Sequence, residues 1–275
     1  MHASSTSSTK MDLGDLGEHW DQVARDLQAV TQLPSLAAAR LLSARAFDES
    51  QPAGLRTYMA ANRYLGVARD NHEALLALLQ HHGATLWAPW SLLRPTFETA
   101  FLAAWILDPE DGRERRTRGL RCEVVDFYAQ RNHRETFSAF PEAQALIEQG
   151  NREAESGSLA TYRSEAAALG QPFEKVHQKI NVVDELQKLT FTRRDRRAGA
   201  LLVATWRLLS GFEHGLGWAL LSGTDRKIQT EIPGGMEVHL EINDERFVLV
   251  AKTTCLMLRA ACGLFRRRHM DPVQQ

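Results

Sequence analysis

Two stretches of this chain, 85–107 and 198–221, are apolar on nearly every side over the length of a helix. An element without a polar face has to be covered, so each predicts a central helix against which the remainder packs. The remainder is patterned for that. Leu13, Leu16, Trp20, Val23, Leu27 and Val30 recur at steps of three and four, the spacing of one buried helical face. Pro34 predicts a short helix over 34–47, and Gln51-Pro52-Ala53-Gly54 breaks the chain before an amphipathic helix from Leu55 to Gln80. Asp108 to Gly112 ends the first apolar helix. Charged helix follows over 113–138, Pro141 starts another to Gly170, and Pro172 one more to Leu189. Beyond Gly223, Met236, Val238, Leu240 and Ile242 alternate with Glu237, His239 and Glu241 after a Pro233-Gly234-Gly235 turn. That period of two predicts a β-hairpin, with a final helix over 244–268. The expected class is all-α, a multi-helix bundle with one small β-hairpin before the C-terminal helix. The expected organisation is a disordered tail over 1–11 and a single helical domain over 12–270.

Composition narrows the function more by exclusion than by assignment. Net charge is −1, so there is no general attraction to nucleic acid or anionic lipid, and any such contact has to be local. The basic residues are 27 Arg and 6 Lys, read here as background. Cys122, Cys255 and Cys262 have no zinc spacing, and Glu174-x-x-His177 lacks the second pair that a di-iron bundle needs. No metal and no cofactor is expected. The first ten residues lack an apolar core of the signal-peptide kind, and no uninterrupted apolar run reaches the roughly 18 residues that span a bilayer, so the expectation is a cytoplasmic protein without membrane association. Arg113, Arg115, Arg116, Arg118 and Arg121 interleave with Glu110, Asp111, Glu114 and Glu123 and read as a solvated helix face. Arg193 to Arg197 reads as a basic connector, and Trp206 and Trp218 read as core.

The informative residues are the few polar ones on the two apolar helices. Arg94 and Glu98 stand four apart and share a face. Arg207, Ser210 and His214 fall at steps of three and four and form one row. A buried charge without a partner costs several kcal/mol, so these groups are expected to face one another. Two guanidiniums, a carboxylate, a hydroxyl and an imidazole would suit an anionic ligand. The same residues would equally serve as a closed Arg–Glu–His network that fixes helix register. Gly211 and Gly215, each costing about 1 kcal/mol against Ala within a helix, suggest a close helix approach or room for a ligand.

The segment from Arg207 to His214, an Arg and a His separated by six residues, resembles the R-x4-6-H signature of HEPN-superfamily ribonucleases. Leu93-Arg94-Pro95-Thr96-Phe97-Glu98 taken with Ser210-Gly211-Phe212-Glu213-His214-Gly215 resembles uncharacterised helical bacterial proteins placed near that superfamily. The resemblance implies metal-independent RNA cleavage of a growth-restricting or defence type. His214 and Arg207 would be catalytic, Arg94, Glu98 and Ser210 would bind substrate, RNA would be the partner, and the protein would be a homodimer. The alternative is a non-enzymatic helical scaffold or small-anion-binding protein with a structural Arg–Glu–His core.

Overall fold

A computed structural model describes residues 14–33 and 43–270. Its elements run α1 (Gly14–Thr31), α2 (Ala44–Glu49), α3 (Gly54–His82), α4 (Ala88–Leu107), α5 (Gly112–Glu135), α6 (Pro141–Ala154), α7 (Ala160–Ala168), α8 (Phe173–Val176), α9 (Val182–Leu186), α10 (Thr190–Arg194), α11 (Arg196–Glu213), α12 (Gly217–Gly223), β1 (Thr224–Ile232), β2 (Gly235–Ile242) and α13 (Asp244–Met270). A 3-10 turn (Thr136–Ala139) follows α5, and a π-helical turn (Glu155–Leu159) follows α6. This is an all-α bundle whose sheet, among the described residues, is one antiparallel hairpin ahead of the last helix. The tail over 1–11, Leu13 of the expected first helical row and the 34–42 part of the expected second helix lie outside the described residues.

Two expected helices come apart. The 172–189 stretch holds two short helices, α8 and α9, and stops ahead of α10, because only Val176, Leu186 and Leu189 in it are buried and no apolar stripe runs long enough to hold one helix. Asn181 accepts from the Asp184 N–H at 3.4 Å and opens α9 anew. The 198–221 stretch is divided into α11 and α12 at Gly215, whose φ of +64° ends the first helix.

The chain forms two compact units, each assembled from separated stretches, and α3, α4 and α13 contribute residues to both. One unit contains the described residues up to Gln32 with Tyr64–Leu102 and Leu186–Gly263. In it α1 buries Leu16, Trp20, Val23, Leu27 and Val30, the row expected from their spacing. Trp90 stacks on Phe212 with ring centroids 4.4 Å apart, and Phe247 meets Trp90 edge-on at 5.4 Å, so α4, α11 and α13 are joined through one aromatic trio. The hairpin pairs Thr224 with Ile242 and Ile232 with Gly235 across Pro233 and Gly234, with a bulge between Ile228 and Thr230.

The other unit is made from the described residues of Leu33–Arg63, Ala103–Glu185 and the chain from Leu264. Its apolar centre includes Leu120, Val124, Phe127, Leu159, Tyr162 and Leu169. Beside it is a buried polar knot. Asp48 Oδ2 accepts from the Tyr58 hydroxyl at 2.9 Å and from Arg115 Nε at 2.8 Å, while Arg115 Nη1 donates to the Pro109 and Glu110 carbonyls. A Cβ on Gly112 would stand 2.4 Å from Asp48 Oδ1, so the glycine is what lets α5 approach. Burial, reinforced by the Asp48 charge, raises the Tyr58 phenol far above its ordinary value and keeps it a donor. The arginine-rich face of α5 is therefore not a solvated one: Arg115 is 3 % exposed, and Arg118 pairs with Glu114 and lies over the Trp105 ring. Arg268 from the end of α13 donates to the carbonyls of Leu107, Asp108 and Pro109, closing the C-terminus of α4.

α13 is the described helix long and apolar enough, by length and composition alone, to cross a membrane; 56 % of that window is buried, the pattern of a core helix.

Two stability predictions follow from the buried polar groups. Asp48→Ala strands the Arg115 guanidinium and is expected to cost about 3–5 kcal/mol in urea unfolding; a cost below 1 kcal/mol, on the order of a surface change, would contradict the knot. His72, 3 % exposed, has its pKa pushed down by burial to about 4, and its Nε2 meets no hydrogen-bond partner among the described residues. Between the ordinary value near 6.5 and about 4 the unfolded chain binds the proton and the folded one does not. Stability should therefore fall as pH drops through that window, by on the order of 3 kcal/mol. Calorimetric melting of His72→Leu should be flatter over the same range.

Candidate functional site

The site is built on α11. Asp195 opens the helix by accepting from the N–H groups of Arg197 and Ala198 at 2.9 and 3.3 Å, satisfying donors that have no partner within the first turn. Leu202, Thr205, Leu209 and Phe212 form its buried row. It stops in a Schellman motif: the Gly215 N–H reaches the Phe212 carbonyl at 3.0 Å and the Leu216 N–H the Gly211 carbonyl at 2.9 Å. His214 is the C-cap. The reversal at Gly215 lays α12 back on α11, and a Cβ at Gly211 would stand 2.6 Å from Ala219 Cβ and 2.8 Å from Trp218 Cζ2. Both glycines thus have structural work, one at the helix end and one at a close approach.

Arg94, 7 % exposed by its side chain, lies on α4 and faces α11. Its Nη1 is 2.5 Å from Glu98 Oε2, its Nε is 3.1 Å from Glu213 Oε2, and its guanidinium lies 4.9 Å over the Trp206 ring. The two carboxylate oxygens sit off the N–H directions, so these are charge contacts and not aligned hydrogen bonds. The Arg94–Glu98 pair expected from the sequence is present. The expected meeting of that pair with Arg207, Ser210 and His214 is not: among the described residues no hydrogen bond or ion pair joins them. Glu213 and Trp206 stand in their place, each one position before His214 and Arg207. Neighbouring helix positions are about 100° apart, so when the 206–213 row faces α4 the 207–214 row turns away.

That second row borders a groove of about 1250 Å³. Arg193 at the end of α10, Arg196 in the first turn of α11 and Arg207 three turns further on all line it, together with Ser210, Trp206 and Trp218. The three arginines are exposed, and none has an ion pair among the described residues. No Asp or Glu among the described residues lines the groove. Arg196 and Arg207 are eleven residues apart, about 16 Å along the helix axis. Guanidiniums spread along a helix in this way suit an extended polyanion better than a single small anion. His214 is exposed and occupies the next position of the groove-lining row on α11, past Ser210 and Gly211, without lining the groove itself. Among the described residues no three His, Cys, Asp or Glu side chains gather where they could hold a metal ion.

Sequence reasoning passed over Glu213, Arg193, Arg196 and Trp218. Trp218, expected in the core, is 51 % exposed. Gly215 was the available signal, because a helix stop there turns Trp218 out of the stripe that a continuous helix would bury. The chain matches no known protein family, curated protein or solved structure.

The unequal burial of the Arg94 cluster predicts an unequal response to substitution. Arg94→Met leaves Glu98 and Glu213, whose side chains are 35 % and 51 % exposed and can be hydrated, so the loss should stay below about 2 kcal/mol. Glu98→Ala with Glu213→Ala leaves the buried guanidinium uncompensated and should cost about 3–5 kcal/mol. Chemical denaturation of the two variants checks the order; the reverse order would mean that the carboxylates and not the arginine carry the burial cost.

Proposed function

We propose that the protein acts on RNA, holding the strand along the α11 groove and cleaving it without a metal at Arg207 and His214. The supporting observation is that Arg193, Arg196 and Arg207 line one groove with no carboxylate among them, exposed and unpaired within the described residues. Guanidiniums left free in this way have their donors available for phosphate oxygens. In the reaction the 2′-oxygen bonds to phosphorus as the bond to the 5′-oxygen breaks. The 2′-hydroxyl proton passes to the His214 imidazole, and a proton from His214 or water goes to the leaving 5′-oxygen. Arg207 offsets the charge that builds on the phosphate oxygens. The products are a 2′,3′-cyclic phosphate and a free 5′-hydroxyl, and DNA, which has no 2′-hydroxyl, is not cut.

One observation favours a binding-only reading: His214 caps α11 and is not among the residues lining the groove. The two readings separate in one experiment. Wild-type protein incubated with unstructured RNA in chelator is expected to bind and cleave it, with end analysis finding cyclic phosphate. His214→Ala should keep binding and lose at least about 100-fold in cleavage rate. Arg207→Ala should weaken both. Binding without cleavage by the wild type leaves the binding-only reading, and neither binding nor cleavage removes the RNA reading.

A further inference from the structure

We infer that the groove selects single-stranded RNA over duplex by stacking an unpaired base on Trp218. This rests on the RNA reading of the same groove and adds the strand state that it accepts. Trp218 is 51 % exposed while the edge of its six-membered ring is pinned against the α11 backbone at Gly211. Any larger residue there would collide with the ring, because a Cβ would lie 2.8 Å from Cζ2 and 3.2 Å from Cη2. A large apolar ring is thus held half in water, at a fixed place in the groove that three unpaired guanidiniums also line. The ligand that meets both demands carries flat rings and negative charges alternately along one chain. A single strand does so, since each unpaired base offers a face to an aromatic side chain. In a duplex the bases are stacked on one another, and an A-form helix presents phosphates, 2′-hydroxyls and shape instead. An acidic peptide would supply the charge without the ring.

The test uses the full chain and a 2′-O-methylated oligoadenylate, which cannot be cleaved through its 2′-oxygen, alone or annealed to its complement. Fluorescence anisotropy is expected to show the single strand bound at least about tenfold more tightly than the duplex. Trp218→Ala and Trp218→Leu, the latter keeping an apolar contact to Gly211, should each weaken the single strand about tenfold, whereas Trp218→Phe stays near wild type. Their salt dependence should match the wild type, with log K falling with log salt at a slope of about −2 for three phosphates, and only Arg207→Ala should lower that slope, by about 0.7. Equal affinity for both strand states, wild-type binding by Trp218→Leu, or displacement of the RNA by an equal charge concentration of polyglutamate overturns the inference and leaves RNA binding standing. Failure to bind either form overturns the RNA reading itself, and this inference with it.

Discussion

A guanidinium buried in a helical core has to be met by negative charge, and at Arg94 that requirement decides how α11 is rotated. Glu98 is supplied by the same helix, but one carboxylate at the edge of the cluster leaves Nε without a counter-charge. Glu213 provides it from α11, and the Trp206 ring covers the flat face of the guanidinium. Turning α11 by one position would bring Arg207 and His214 to this spot in their place. A second cation would then be set against the first, with a single carboxylate between them. The observed rotation avoids that repulsion, and its by-product is a row of uncommitted polar residues on the other side of α11.

What becomes of that row depends on two glycines with opposite effects. Gly215 takes a left-handed conformation that other residues adopt only at a cost of about 1–2 kcal/mol, which is where the long apolar stretch changes direction. Gly211 is right-handed, and its importance lies in the missing side chain, which lets Ala219 and Trp218 come down onto the helix. A mid-helix glycine weakens α11, and the contact made across it offsets the weakness. The groove wall is therefore a consequence of how one helix ends and the next returns.

Most of the architecture could be read from the period of the apolar residues, because a buried face leaves the same trace in the sequence wherever it packs. The α1 row and the hairpin are both of this kind. The failures come from residues whose state depends on what arrives from far along the chain. Arg115 belongs to a run that alternates with acids and looks solvated, yet Asp48, sixty-seven positions earlier, draws it inside. Arg94 and Glu98 were legible as a pair because the helix alone brings them together. Their partner on α11 was not, since the candidate row and the actual row differ by one residue and only tertiary packing chooses between them. Trp218 follows a related rule: the apolar period over 198–221 reads as one continuous helix, and a continuous helix hides what the reversal at Gly215 exposes.

The interleaving of the two units bears on how the chain is made. Each draws on an early stretch and on residues contributed by α13, so a nascent polypeptide emerging from the ribosome has neither unit's full set of segments until α13 has been made. The apolar stretches of α4 and α11 are exposed meanwhile, waiting for the cover that α13 supplies. A stop codon ahead of α13 would then remove material from both units at once, and such a truncation would report loss of folding instead of locating an activity.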